Sequence, residues 1–472
     1  MTKRAVIIGG GIAGLAAAYR LHLEGLASSE SIEVVLLEAS STLGGKISTL
    51  HEDDGLFEEG PNSFLDPQPE LAELISHSGV ELISASSAAK RRYLSQSGQL
   101  RELSPNPWKL YSTGLLSGAA ILRMLGERFV GQRRSEHGNL PSEGWGDESV
   151  YSFIKRRFGE RAAALFAGPM VSGVFAGDPQ KLSMAAAFPK LSELEERHGS
   201  VLKGLRVKRQ AGQTAPSLHA PKRGMQALPA ALAERAKFTV HENTNVKRLA
   251  SAGGRWTLGV DGDEDLTADA IVVATPASAT AALLMNSSRS TALALSKITA
   301  PHLAVANLVY ELEDSQRAPI GFGALHADGS GSNILGVLHE SHIFPQRRSD
   351  GRLHLRAMIG GSTRPDLATK SDPELLGLAV SELQAIHGFN RAPSSARIKR
   401  WRQSIPQYHL GHARLISDAL QGLQGASTPP IALAGNYLSG VSLSDTAASG
   451  RAAADNILHQ LESDLASEPS TR

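Results

Sequence analysis

The chain has 472 residues, no cysteine, a formal net charge of +1 and a pI of about 8.0. That length predicts roughly two to four domains. The lack of thiols excludes structural disulfides, thiolate zinc sites, cysteine nucleophiles, iron–sulfur clusters and flavin tethered through cysteine, and the balanced charge demands no nucleic-acid or acidic partner.

The N-terminal stretch MTKRAVIIGGG has too short an apolar run for a signal peptide, and no run approaches the roughly 20 residues of a spanning helix. A cytoplasmic protein, soluble or peripheral on the membrane, is expected. Residues 4–9 read as a buried parallel strand, 12–25 as a helix capped at Gly25, and 32–38 as a second strand. That is the opening of a doubly wound sheet. Residues 86–210 alternate apolar stripes with arginine clusters and read mainly as helices, with polar loops at 131–146 and 207–221. Strand signals return at 238–249, 255–260 and 270–274, then at 302–312, 331–339 and 352–361 as a further, antiparallel sheet. A last buried strand, 431–436, precedes a closing amphipathic helix at 448–463 and a frayed tail.

Gly9, Gly11 and Gly14 form G-x-G-x-x-G between the first strand and helix, with Gly10, Ile12 and Ala13 in the same turn. Gly9 permits the tight turn, Gly11 lets a pyrophosphate reach the backbone, and Gly14 lets helix and strand pack closely. The helix N-terminus offers free N–H groups to phosphate. Glu38 ends the second strand, where a carboxylate accepts ribose hydroxyls and disfavours a 2′-phosphate. After Ala39, Gly44 and Gly45 let the chain pass the pyrophosphate and Lys46 supplies a counter-charge; this extension points to FAD rather than a nicotinamide cofactor. Downstream, Ala274 ends a strand passing under the adenine end, and Val246 offers a backbone group to the adenine. The block 433–450 repeats strand, glycine turn and helix start. Around Gly435 it aims the N–H groups of Val441, Ser442 and Leu443 at an anion or a flavin carbonyl.

The motifs GGGIAGLAAAY (9–19), EEGPNSFLD (58–66), AAKRRYL (88–94), SGVFAGDPQKLSMAAAFP (172–189), RGMQALP (223–229) and WRQSIPQYHLGH (401–412) span nearly the whole chain. With the C-terminal block they resemble the oxygen-dependent protoporphyrinogen oxidase family of the amine-oxidase superfamily. Bacterial members that oxidise coproporphyrinogen III share them.

The resemblance implies an α/β, α+β overall, architecture. A Rossmann-like FAD-binding domain is drawn from 1–85, 211–290 and 411–472, with a helical, membrane-binding-like domain at 86–210 and a mixed-sheet substrate domain at 291–410. It implies six-electron oxidation of protoporphyrinogen IX, or alternatively coproporphyrinogen III, with FAD as acceptor, O2 as oxidant and hydrogen peroxide as product. It adds Gly60, Pro61, Asn62, Ser63 and Trp401 to the flavin site. Arg92 matches a propionate anchor, Gly173 a glycine near the reacting carbon, and Leu325 and Phe344 residues that sandwich the macrocycle. No acid–base residue is assigned and no metal is expected; His409 and His412 are read as parts of a structural turn. The resemblance leaves open peripheral membrane contact through the helical domain and a homodimer. Where relatives often carry a cysteine, this chain has Thr446. A different flavin oxidase or desaturase and a non-enzymatic binding relative are the competing readings; intact Glu38, Gly44 and Gly45 weigh against the latter. The cations Arg91, Arg92, Lys203, Arg206, Lys208 and Arg209 are candidates for binding four propionates rather than two.

Overall fold

The structure, a computed structural model, describes residues 2–27, 31–96, 99–104, 106–132, 147–212, 216–261, 265–311, 318–326, 331–347, 351–389, 391–423 and 429–467. The strands of its two principal sheets are, in chain order, β1 (Lys3–Ile8), β2 (Ile32–Leu37), β3 (Arg92–Gln96), β4 (Gln99–Leu103), β5 (Thr239–His241) and β6 (Ala270–Val273). They continue as β7 (Leu303–Tyr310), β8 (Gly323–His326), β9 (Gly336–His339), β10 (Leu353–Gly360), β11 (Ser395–Trp401) and β12 (Ile431–Leu433). The helices used below are α1 (Ile12–Ala27), α2 (Pro107–Ser112), α3 (Gly118–Leu125), α4 (Val150–Phe158), α5 (Glu160–Phe175), α6 (Pro189–His198), α7 (Val201–Gln210), α8 (Asp372–His387) and α9 (Leu443–Ser467).

The first sheet has the order β5-β2-β1-β6-β12, and every pairing in it is parallel. Successive side chains of a strand face opposite ways. Ala5 and Ile7 therefore pack with α1 and α9, while Val6 and Ile8 pack with Trp256 and Leu258 of a three-stranded antiparallel sheet over 246–268. Covered on both faces, these strands are apolar throughout, as parallel strands must be. Three stretches far apart in sequence thus build one nucleotide-binding sheet.

The second sheet has the order β11-β7-β10-β9-β8-β3-β4. Its pairings are antiparallel except the parallel pair β8–β3, so the sheet is mixed. One face buries Ala304, Ala306, Leu355 and Ala357 against Leu375, Ala379 and Leu383 of α8. The opposite face looks toward the nucleotide-binding sheet and carries the site residues.

Several boundaries differ from the sequence reading. Residues 92–96 and 99–103 are strands β3 and β4 rather than helix: Tyr93 is drawn into the second sheet's core, a tertiary gain that local pattern does not report. The stretch read as a loop at 207–221 contains the end of α7 and a strand Leu218–Pro221; the loop read at 131–146 lies almost wholly outside the described residues, and of the tail expected to fray, 464–467 continue α9 while 468–472 lie outside the described residues. Gly25 lies inside α1, tucked against Ile32, rather than capping it. Helix α9 begins five residues earlier than expected, at Leu443.

Helices α2–α7 form the remaining lobe. Its centre is ionic: buried Arg157 donates to Glu127, to Glu195 Oε1 at 3.3 Å and to the carbonyls of Val130 and Gly199 at 2.9 and 2.8 Å. Each donor direction is met, which is what makes a buried guanidinium tolerable.

Candidate functional site

At the tip of β1 the chain turns through Gly9, whose φ of +107° favours glycine. A Cβ on Gly14 would stand 1.8 Å from the Gly9 carbonyl oxygen, so helix and turn meet only without a side chain there. A Cβ on Gly11 would meet nothing within 4 Å, so open space lies at the N-terminus of α1 where Ile12 and Ala13 start the helix. Glu38 is held at the rim: one oxygen accepts the Gly10 N–H at 2.7 Å, the other the N–H and hydroxyl of Ser40 at 2.8 and 2.6 Å. A carboxylate has about four acceptor directions and three are taken, so one remains for a ribose hydroxyl. Ala39 is exposed next to it.

Gly44 donates to the Gly10 carbonyl at 2.9 Å, so the second glycine pair lies against the first. Gly44 and Gly45 have φ of +122° and +60°. Gln226 of RGMQALP fixes this turn by donating to the Leu43 carbonyl at 2.7 Å; sequence reasoning assigned it no role. Lys46 is largely buried, donates to the Ser404 carbonyl, and has no carboxylate partner among the described residues; burial pushes its pKa down to about 8. It borders a cavity of about 250 Å³, with Pro276, Thr299, Gln403, Asn436 and Tyr437. Val246 is buried at the start of its strand, and Ala274 lies under the glycine turn, its N–H donating to the Ile8 carbonyl at 2.8 Å. An open glycine cradle, a ribose-type carboxylate and an unpaired buried cation fit a dinucleotide with an anionic linker.

The other wall is the C-terminal block. Gly435 donates to Ser449 Oγ at 2.9 Å. The Tyr408 hydroxyl donates to the Asn436 carbonyl at 2.5 Å and accepts the Gly440 N–H at 2.8 Å, pinning both ends of the turn before α9. His412 stacks on Tyr408 with ring centres 3.9 Å apart and bonds the Tyr437 carbonyl through Nε2 at 2.9 Å. The motif Q-Y-H-L-G-H is thus a brace for this turn. Val441 and Ser442 lead into α9, which Leu443 opens; Ser442 Oγ accepts the Asp445 N–H at 3.1 Å. Thr446 makes local bonds, to the Ser442 carbonyl at 2.9 Å from its N–H and 2.7 Å from its hydroxyl, and its own carbonyl accepts the Ser449 hydroxyl at 2.7 Å.

Between these walls and the second sheet runs residues 58–63. A Cβ on Gly60 would stand 1.8 Å from the Lys46 carbonyl oxygen, so this segment is laid directly on the cradle. After Pro61, Asn62 donates to Glu340 at 3.4 Å and Ser63 to Asn62 Oδ1 at 3.1 Å. Trp401 donates to the Glu59 carbonyl at 2.8 Å. Beneath them Arg347 and Glu58, both buried, pair at 2.9 Å; burial nevertheless pushes the Glu58 carboxyl up to about 7.

Register places the residues expected on the substrate side. Leu325 pairs with Gly336, and Gly336 with Met358, so the three share one face of the sheet. Gly173, on an exposed part of α5, faces Leu325: a Cβ there would lie 3.2 Å from Leu325 Cδ1. Arg92 is exposed on β3 at the edge of this surface, its guanidinium 5.0 Å from the Phe322 ring centre. Leu325, Gly173 and Arg92 are therefore brought together. Phe344 is not: it is fully buried in the core of the nucleotide-binding domain, under the Arg347 guanidinium at 4.9 Å. Met358, across Gly336 from Leu325, lies on that face instead; only the cross-strand register places it there.

A doubly wound parallel sheet with this cradle, joined to a mixed substrate sheet, defines an FAD-dependent oxidoreductase. A family model for flavin containing amine oxidoreductases matches residues 12–458, and the chain belongs to that family. It is 34% identical to the protoporphyrinogen oxidase of Bos taurus, over 97% of this chain and 99% of that protein. It is 28% identical to the coproporphyrinogen III oxidase of Bacillus subtilis (strain 168), over 97% and 98% respectively. A solved structure from Exiguobacterium sp. 255-15, provisionally described as a protoporphyrinogen oxidase, superposes with a TM-score of 0.82 at 25% identity, covering 98% of this chain and 99% of that one.

Proposed function

We propose that the protein oxidises a porphyrinogen to its porphyrin, with O2 as the final oxidant and protoporphyrinogen IX as substrate, coproporphyrinogen III being the alternative. The observation that carries this is the surface formed by Gly173, Leu325, Gly336 and Met358 with Arg92 at its edge. A flat macrocycle with carboxylate arms needs an apolar face, little side-chain bulk and a peripheral cation. Bound FAD supplies the hydride acceptor. The chain's own residues bind and orient: Gly173 leaves room for the ring, and Arg92 grips a propionate, which a guanidinium can do bidentately. The N–H groups of Val441, Ser442 and Leu443, at the positive end of α9, stabilise negative charge.

No described helix is long and apolar enough to cross a membrane. Trp108, Tyr111, Leu122 and Phe129 stand exposed on α2, α3 and the turn after α3, with exposed Lys109 and Arg128 beside them. Apolar side chains flanked by cations favour peripheral contact with a lipid surface, from the cytoplasmic side.

The test is aerobic porphyrin fluorescence on both porphyrinogens with flavin-loaded protein. If neither is oxidised, the proposal fails. Arg92→Ala should raise KM roughly tenfold and leave kcat within about twofold, because anchoring is ground-state binding; a pure kcat loss removes Arg92 from that role.

A further inference from the structure

Three consecutive carbonyls of the segment Glu58–Gly60 are each capped by a side chain from a different strand of the second sheet. Asn307 of β7 donates to the Glu58 carbonyl at 3.2 Å, Trp401 of β11 to the Glu59 carbonyl at 2.8 Å, and Arg356 of β10 to the Gly60 carbonyl through Nη2. The three strands are neighbours, with β7 between β10 and β11, and Asn307 is paired directly with Arg356. On its far side the same segment lies on the flavin cradle, through Gly60 against Lys46. One short peptide therefore joins the flavin half of the site to the substrate half.

Arg356 is an expensive group for this task. A neutral amide would cap a carbonyl, as Asn307 does. The guanidinium is buried, its Nε has no acceptor among the described residues, and burial pulls its pKa down while Glu340 and Glu58 pull it up. Asn62, the next polar residue of the segment, donates to the same Glu340. Arg356 also lies two residues before Met358, so it shares that strand face with the substrate surface. A buried cation with an unused donor, between cradle and substrate face, is placed where negative charge arriving on the flavin would be felt in low dielectric.

We propose that Arg356 is a positioning residue: with Asn307 and Trp401 it hangs Glu58–Gly60 from the substrate sheet, and its charge favours the reduced, negatively charged flavin. The flavin part stands on the family membership; only the turnover readout rests on the porphyrinogen reading above.

The test uses the flavin-loaded enzyme as wild type, Arg356→Met, Arg356→Lys and the double variant Arg356→Met/Glu340→Gln, which removes both buried charges together. Arg356→Met should shift the flavin reduction equilibrium at least tenfold toward the oxidised form, about 30 mV for a two-electron couple, and the double variant, which also removes an anion, should shift it the same way by less. The visible flavin band should move with it, and Arg356→Lys should recover most of the potential. With porphyrinogen, kcat should fall while KM stays within about twofold. A wild-type potential and flavin spectrum in Arg356→Met overturns the proposal, even if the melting temperature falls. Failure of the wild type to oxidise any porphyrinogen would sink the substrate reading alone, because the potential and spectrum still decide Arg356.

Discussion

Lys46 shows how a single side chain reports on its missing partner. Its ammonium is buried beside Ser404 with no described carboxylate near it, and burial alone holds the pKa at about 8 rather than 10.5. An anionic pyrophosphate in the cradle would favour the charged form and raise that value. Above pH 8 the free protein must then take up a proton when it binds FAD; below pH 8 the proton is already present. Flavin affinity should therefore be flat between pH 6 and 7.5 and fall by up to about tenfold per pH unit beyond 8. Lys46→Met should bind more weakly at pH 7 and lose the dependence. Fluorescence titration of apoprotein with FAD at several pH values reads both; an affinity equally flat above pH 8 in wild type would place Lys46 away from the phosphates. For the apoprotein itself the sign is separate: a lysine depressed on folding disfavours the fold at low pH, and stability recovers as pH rises from 8 to 10.5.

At the scale of elements, the flavin site depends on two helices crossing without side chains between them. A Cβ on Gly450 of α9 would stand 2.0 Å from the Ala13 carbonyl oxygen of α1, and backbone cannot move aside as a flexible side chain can. Gly450→Ala should force the two helices apart, costing about 1–3 kcal/mol. Because both helix N-termini face the dinucleotide, flavin affinity should fall with it. Gly377→Ala on α8 is the control: nothing lies within 4 Å of a Cβ there, so neither quantity should drop. Thermal melts and flavin titration of the two variants separate crossing geometry from a general glycine effect. The elements also show what could be read from the chain alone. Strands β1, β2 and β6 and the glycine turns were legible because buried parallel strands and φ-restricted glycines leave local signatures. Leu325 beside Gly173 followed from family motifs. Residues 92–96 and 99–103 were not legible, since a strand recruited to a distant sheet carries no local mark, nor was the burial of Phe344. Arg356, Asn307 and Met358 emerge only from cross-strand register, which pairs Asn307 with Arg356 and Val305 with Met358 across some fifty positions.

For the molecule as a whole, buried histidines set the response to acid. His339 and His387 lie with ring centres 5.0 Å apart where β9 meets the end of α8, and His412 braces the turn before α9. Burial pushes their pKa values down to about 3, about 4 and about 4. Unfolded, each would titrate near 6.5. As pH falls below 6.5 the unfolded chain takes up protons that the folded chain refuses, so stability is lost from about 6.5 down to 4. Glu58 acts the other way: lifted to about 7, it holds its proton in the fold and favours the folded state below that pH. Burial also lowers the neighbouring His326 and His342, so the histidines outweigh Glu58 by at least two protons, and stability should fall by roughly 3 kcal/mol per pH unit or more between pH 6.5 and 5. Urea midpoints measured at pH 7, 6 and 5 would show this, and His339→Gln should flatten the slope by up to one proton. Flavin release should accompany the loss, because His412 holds the turn before α9 while His339, on β9, and His387, at the end of α8, join that helix to the second sheet. A midpoint that stays constant from pH 7 to 5 would mean that these rings are protonated in the fold, with solvent reaching both places.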